Sequence, residues 1–133
     1  MDFDPFAPTE GYLAFWREYH LCTLSTLRPD GTPHLVPVGV TYQPQAAVAR
    51  IIASRTSKKV RNVRAAGPDG MRVAVCQVDR ARWATLEGVA TVSDDPQRVD
   101  EAVRRYAERY RIPSPNPDRV VIEIAVARAI GNV

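Results

Sequence analysis

Two strand-like runs, LCTLSTL and PHLVPVGVTY, are separated only by RPDGT at residues 28–32, and this spacing constrains the fold more than any other feature of the chain. The Asp30-Gly31 pair supplies the left-handed backbone of a tight hairpin, so the two runs must pair antiparallel. After Pro44-Gln45, AVARIIAS reads as a third strand rich in β-branched residues. MRVAVCQV and RWATLEGVATV add two more, the latter with Gly88 as a bulge where a barrel wall bends, and RVVIEIAVARAIG makes six.

Three short helices interrupt these strands. Thr9 caps the first, whose stripe of Tyr12, Leu13, Trp16 and Tyr19 runs to about His20 and belongs to a core. Ser57 caps the second, about two turns long, with Val60 and Val63 buried and Gly67-Pro68 as its stop. Asp95 and Pro96 begin the third, turning Val99, Ala102, Val103, Tyr106 and Tyr110 inward. The loop RIPSPNPD must be extended, because each proline disfavours helix in the residue before it.

Six mostly antiparallel strands with few helices predict a mainly β fold, a small barrel that removes exposed sheet edges. With 133 residues the chain suffices for one domain spanning residues 1–133, and its long apolar strands favour a dimer. No apolar run approaches the roughly 20 residues of a membrane span. The acidic start MDFDPFAPTE lacks the basic and apolar regions of a secretory signal, which predicts a cytoplasmic protein. Cys22 and Cys76 lie in strand-like runs without CxxC spacing and read as buried thiols.

Charge is distributed unevenly. Between Ala53 and Gly67 the chain reads ASRTSKKVRNVRAAG, with five cationic side chains, and no acid occurs from Gly31 to Pro68. A helix beginning after Ser57 presents unpaired N–H groups and a partial positive charge, a seat for phosphate. Lys58 and Lys59 oppose the helix dipole unless an anion compensates them, and Asn62, three residues beyond Lys59, can donate an amide hydrogen bond from the same face. A solvated basic helix is the other reading of these residues.

Other candidates are scattered. Pro37 lacks a ladder donor and Gly39 a side chain, so a flat ring such as an isoalloxazine can approach this strand; a bulge or edge strand explains the same pair. Trp83, beside Arg82, suits stacking, an interface or core packing. No Ser-His-Asp set, metal spacing or Gly-rich nucleotide fingerprint is present, and of the two histidines His34 reads as an ordinary surface residue. That absence argues against a hydrolase and fits redox work carried by a cofactor. A net charge of +3 does not by itself imply nucleic acid, and Arg50 to Arg64 contain no aromatic platform for single strands.

The pattern S-x-K-x-x-N at Ser57, Lys59 and Asn62, with ARWATLEG at Ala81 to Gly88 and RYRIPSPNP at Arg109 to Pro117, resembles the flavin and deazaflavin oxidoreductases built on the split β-barrel of pyridoxamine 5′-phosphate oxidase. Within that group the chain is most similar to the actinobacterial branch that uses coenzyme F420, an 8-hydroxy-5-deazaflavin, and includes biliverdin reductases. The resemblance covers nearly the whole chain. It implies an FMN-binding-type split barrel, a homodimer with cofactor sites at the subunit interface, and hydride delivery from reduced F420 to a conjugated small molecule such as biliverdin. It further implies that Ser57, Lys59 and Asn62 hold the cofactor phosphate, that Pro37, Val38 and Gly39 back the ring, and that Trp83 comes from the partner. Lys58 and Arg55 depart from the smaller or neutral residues expected at their positions, and their charge suits an anionic oligoglutamate tail. Arg82 is a candidate substrate polariser; no proton donor is evident. FMN in place of F420, or a non-catalytic cofactor- or haem-binding module, are the alternatives.

Overall fold

A computed structural model describes residues 1–133. The strands are β1 (Asp2–Phe3), β2 (Cys22–Leu27), β3 (Pro33–Val38), β4 (Thr41–Gln43), β5 (Val48–Ser54), β6 (Met71–Asp79), β7 (Arg82–Ser93) and β8 (Arg119–Asn132). The helices are α1 (Glu10–Arg17), α2 (Lys58–Ala65) and α3 (Pro96–Arg109). The expected six strands become eight, because PHLVPVGVTY divides into β3 and β4 and because Asp2 and Phe3 pair with Ile130 and Ala129 of β8. No helix is long and apolar enough to cross a membrane.

The pairing order is β3-β2-β6-β7-β8-β5-β4, antiparallel throughout. Its two edge strands, β3 and β4, are consecutive in the chain and joined only by Gly39 and Val40. A three-residue step spans at most about 11 Å. The sheet is therefore forced to curl until its edges nearly meet, giving a barrel split along one seam, with no β3–β4 ladder closing it.

Side chains from α3 seal that seam. Val40 N–H donates to the Tyr110 hydroxyl (3.1 Å), which donates to the His20 carbonyl (2.7 Å). Arg109, 9% exposed, donates to the carbonyls of Val40 (2.5 Å) and Glu18 (2.8 Å) and to Gln77 Oε1 (2.5 Å). Its guanidinium also lies over the Trp16 and Tyr110 rings. Burial pushes the Tyr110 hydroxyl well above the usual phenol range, so it remains a donor at any physiological pH. Both backbone groups of Val40, which a closed ladder would have paired, are thus satisfied by side chains.

Local signals in the sequence account for most elements. Thr9 accepts from Tyr12 N–H and Asp95 from Arg98 N–H, capping α1 and α3 as expected. The Asp30 carboxylate accepts from the N–H and hydroxyl of Thr32, closing the hairpin between β2 and β3. The β7–β8 register shifts between Glu87 and Gly88, at the predicted bulge. A Cβ on Gly88 would stand 2.0 Å from the Ala125 carbonyl oxygen, so only glycine admits β8 so closely.

Four packing expectations need correction. Helix α1 stops at Arg17; Phe15 rather than Tyr19 is buried, and Tyr19 lies outside the last turn with 62% exposure. On α3 only Ala102 and Arg109 are fully buried, while Val99, Val103, Tyr106 and Tyr110 are half-buried. Cys22 is buried with its thiol near Gln77 Oε1 (3.6 Å), but Cys76 is only half-buried, one strand position across from it on the outward face. The barrel is split, as the family resemblance implies, and not the edge-free barrel that strand count alone suggests, because α3 supplies at Val40 what a strand pairing would otherwise supply.

Arg109→Ala is expected to lower the unfolding free energy by about 3–5 kcal/mol, since it leaves buried acceptors unpaired and a cavity behind. Arg109→Lys should restore only part, because one ammonium cannot satisfy three separated acceptors; urea denaturation of both variants measures this.

Candidate anion and cofactor site

The chain leaves β5 at Ser54 and turns sharply into α2. Ser57 N–H and its hydroxyl both donate to the Ser54 carbonyl (3.0 and 2.7 Å), and Arg55 pairs with Asp118 (2.6 Å). Because its hydroxyl points back at Ser54, Ser57 occupies the N-cap position without making a side-chain cap to the helix. The first intrahelical bond runs from Arg61 N–H to the Ser57 carbonyl (3.1 Å), so the N–H groups of the first turn stand ahead of the ladder. No acid lies in that turn, and neither Lys58 nor Lys59 forms an ion pair. Both lysines are half-buried, and burial pulls the Lys59 ammonium below its ordinary value. An uncapped helix start carrying two unpaired cations is poor for a helix alone and well suited to an anion.

His34 completes this cluster and was missed as a site residue. It lies on β3 opposite Thr26, half-buried, with Nδ1 buried and without a hydrogen-bond partner. Burial, Arg28, Lys58 and Lys59 together hold its imidazole below the usual histidine value. The signal was available: His34 alternates with Val36 and Val38, whose period-2 pattern places it on the more buried side of β3.

Asn62 departs from expectation. It is 1% exposed, its Nδ2 donates to Thr26 Oγ1 (3.0 Å), and its Oδ1 has no partner. The amide faces β2, not the helix start, because its turn of α2 is the one that packs against the sheet between Val60 and Val63. It therefore ties α2 to the barrel instead of presenting a donor to solvent.

The other candidates lie apart. Pro37 is exposed on edge strand β3 and the Val38 side chain is buried. The open side of Gly39 is already taken: a Cβ there would stand 2.8 Å from Tyr106 and 3.0 Å from Tyr110 ring carbons. The flat rings that require this glycine are the chain's own tyrosines, which leaves Pro37 and the main chain of Val38 as the approachable part of the strand. Trp83, half-buried, sits at the start of β7 beside Val78, whereas α2 flanks the far end near Thr91 and Val92. The lysines stand at the other end of α2, beside His34, which pairs with Thr26 of β2, while Trp83 pairs with Val78 and Asn132.

Arg82 is engaged elsewhere. Its fork donates to both Glu18 oxygens (3.0 and 2.9 Å) and to Asp79 (2.5 Å), above the Phe15 ring. These bonds, with one from His20, hold the Glu18 carboxyl at about 2. The guanidinium fills the space between Glu18, His20 and Asp79, the three potential ligands that converge there. That engagement removes the free guanidinium a polarising role needs.

The fold agrees with what the chain is similar to. The family profile of pyridoxamine 5′-phosphate oxidase matches residues 8–132. The chain belongs to the pyridoxamine 5′-phosphate oxidase family. An F420H(2)-dependent biliverdin reductase of Mycobacterium tuberculosis (strain CDC 1551 / Oshkosh) is 48% identical over 120 residues, covering 90% of this chain and 85% of that protein. A structure described as an F420 reductase superposes with a TM-score of 0.72 at 24% identity over 92% of this chain and 98% of its own. A conserved hypothetical protein from Mycobacterium tuberculosis gives a TM-score of 0.74 at 23% identity, covering 94% and 84%. The split barrel is thus the architecture of this family.

Removing the lysines tests the electrostatics of the seat directly. In Lys58→Ala/Lys59→Ala the His34 imidazole should titrate at higher pH than in the parent, approaching but not reaching the ordinary value because burial is the larger cause. Proton NMR of the two histidine rings, assigned with His34→Gln, reads the shift.

Proposed function

We propose that this chain is an F420-dependent reductase that acts on a conjugated tetrapyrrole of the biliverdin class. The observation that carries the reading is the uncapped, acid-free start of α2, where Lys58, Lys59 and His34 gather with no anion of their own; the similarity to an F420H(2)-dependent biliverdin reductase supports the choice of ligand. The residues fit the phosphate of such a cofactor: the first-turn N–H groups and Lys59 hold it, with Ser57 shaping the turn. Pro37 and the main chain of Val38, on the strand that carries His34, back the ring, and Gly39 keeps that strand seated on Tyr106 and Tyr110. When bound, the reduced deazaflavin supplies a hydride to an electron-poor carbon of the substrate. The chain's own part is to bind and orient; the proton that follows comes from water, since neither histidine, as placed, is an evident donor.

The functional unit is a homodimer of single-domain chains, each spanning residues 1–133, in the cytoplasm. Leu21, Leu27, Leu35 and Val78 lie exposed at and around β2, β3 and β6, an apolar face for a second copy. Trp83 borders this face through its pairing with Val78 and completes the site of the partner chain. The same phosphate seat accepts FMN, the competing ligand.

Anaerobic mixing with reduced F420 and biliverdin should reoxidise the deazaflavin, followed by its returning absorbance. Lys59→Ala is expected to weaken F420 binding about tenfold or more, in the range of one lost charge-assisted contact, with the rate at saturation changed far less. Tight FMN binding with no uptake of F420 would reject the reading.

A further inference from the structure

Arg109 and Tyr110 seal the barrel, but the rest of RYRIPSPNPD has no part in that seal. Between this segment, the outward side of β5 and the end of α3 lies an open cavity of about 380 Å³. Ile52, Tyr106, Pro113 and Pro115 give it flat apolar walls, and Arg111 and Arg119 supply its charge. No carboxylate lines it.

What sets these two arginines apart is their place: both line one cavity that holds no acid. Arg17, Arg55, Arg82, Arg98, Arg104 and Arg105 are each paired with an acid. Arg111 makes no hydrogen bond or ion pair, and Arg119 gives one N–H to the Ser114 carbonyl (2.6 Å) and meets no acid. The Tyr106 hydroxyl is also without a partner, although its ring is fixed against Gly39 and Tyr110. Two guanidiniums that meet no acid, beside a free phenol, form a set of donors with no carboxylate acceptor in the chain.

This cavity is held open by covalent and hydrogen-bonded constraints. The prolines keep residues 112–117 extended. Asn116 Nδ2 donates to Ser54 Oγ (2.7 Å), its Oδ1 accepts from Asp118 N–H (2.9 Å), and Asp118 pairs with Arg55. Donors on a preorganised wall bind an anion without first paying to order the loop. Ser54 leads to the start of α2 and Tyr106 touches Gly39, so the cavity adjoins both parts of the site assigned above.

We propose that this cavity is a carboxylate subsite in which Arg111 and Arg119 bind carboxylates carried on a flat or chain-like ligand. The chemistry follows from the cavity itself; the candidate sources, the oligoglutamate tail of F420 or the propionates of a tetrapyrrole, rest on the function proposed above. Planar guanidinium forks pair with carboxylates bidentately, which lysine would not do as well.

Fluorescence titrations at low ionic strength with matched probes test it: F420 against its tail-less analogue, and biliverdin against its dimethyl ester. Arg111→Gln, which removes no hydrogen bond or ion pair within the chain, should weaken at least one carboxylate-bearing probe about tenfold and leave its carboxylate-free partner within about twofold. Arg119→Gln should act on the same probe, and Arg111→Lys should recover only part of the affinity. A loss confined to F420 assigns the subsite to the tail; a loss confined to biliverdin assigns it to the substrate. Equal losses on both members of a pair, or no loss on either pair, overturn the proposal. If the parent takes up neither deazaflavin, the cofactor reading fails, while the biliverdin pair still decides the subsite.

Discussion

The buried guanidinium of Arg109 is the contact on which the rest of the molecule depends. The chain crosses from one edge of its sheet to the other in two residues, and the backbone of Val40 would be left unpaired at the seam without Arg109 and Tyr110. A buried cation with only neutral acceptors is costly unless every N–H it turns inward is used, and here one residue ties α1, β6 and the seam together. That requirement positions the end of α3. It presses Tyr106 and Tyr110 against Gly39 and sends the chain onward from Arg111 along β5, where the proline-rich segment becomes a cavity wall.

Helix α2 follows the opposite logic. Its buried side is anchored to the sheet by the packing of Val60 and Val63 and by the bond from Asn62 Nδ2 to Thr26. Its first turn is left frustrated: no capping side chain, no acid, two half-buried lysines and a histidine whose protonation the surroundings oppose. Local rules of this kind are most often broken where an external group supplies the compensation. The strain at this site is electrostatic, and the helix pays little for it because tertiary packing, not propensity, holds it in place.

What could be read from the sequence was mostly local. The hairpin at RPDGT, the caps at Thr9 and Asp95 and the bulge at Gly88 each depend on one or two residues and their immediate neighbours. The misreadings involved partners distant in the chain. Asn62 looked like a ligand donor until Thr26, thirty-six positions away, was seen to accept its amide. Gly39 looked like a seat for a foreign ring until α3 supplied two of its own. The short strands β1 and β4 carry too few residues for a period to be counted, and they exist because β8 and β5 offer them edges.

By itself the sequence determined that the chain would be a barrel of antiparallel strands, where its helices begin, and that a basic, acid-free segment would sit at the start of one of them. Alternation, turn chemistry and charge are properties of neighbours along the chain, so they survive without coordinates. Only the tertiary structure decided that Arg109 seals the seam of the barrel, that Arg82 is bound to Glu18 and Asp79, and that Arg111 and Arg119 meet no acid beside a cavity. A guanidinium is the same residue whether it seals a seam, fills an acidic cluster or waits for a ligand. Which of these it does depends on the acceptors that folding brings within about 3 Å of it.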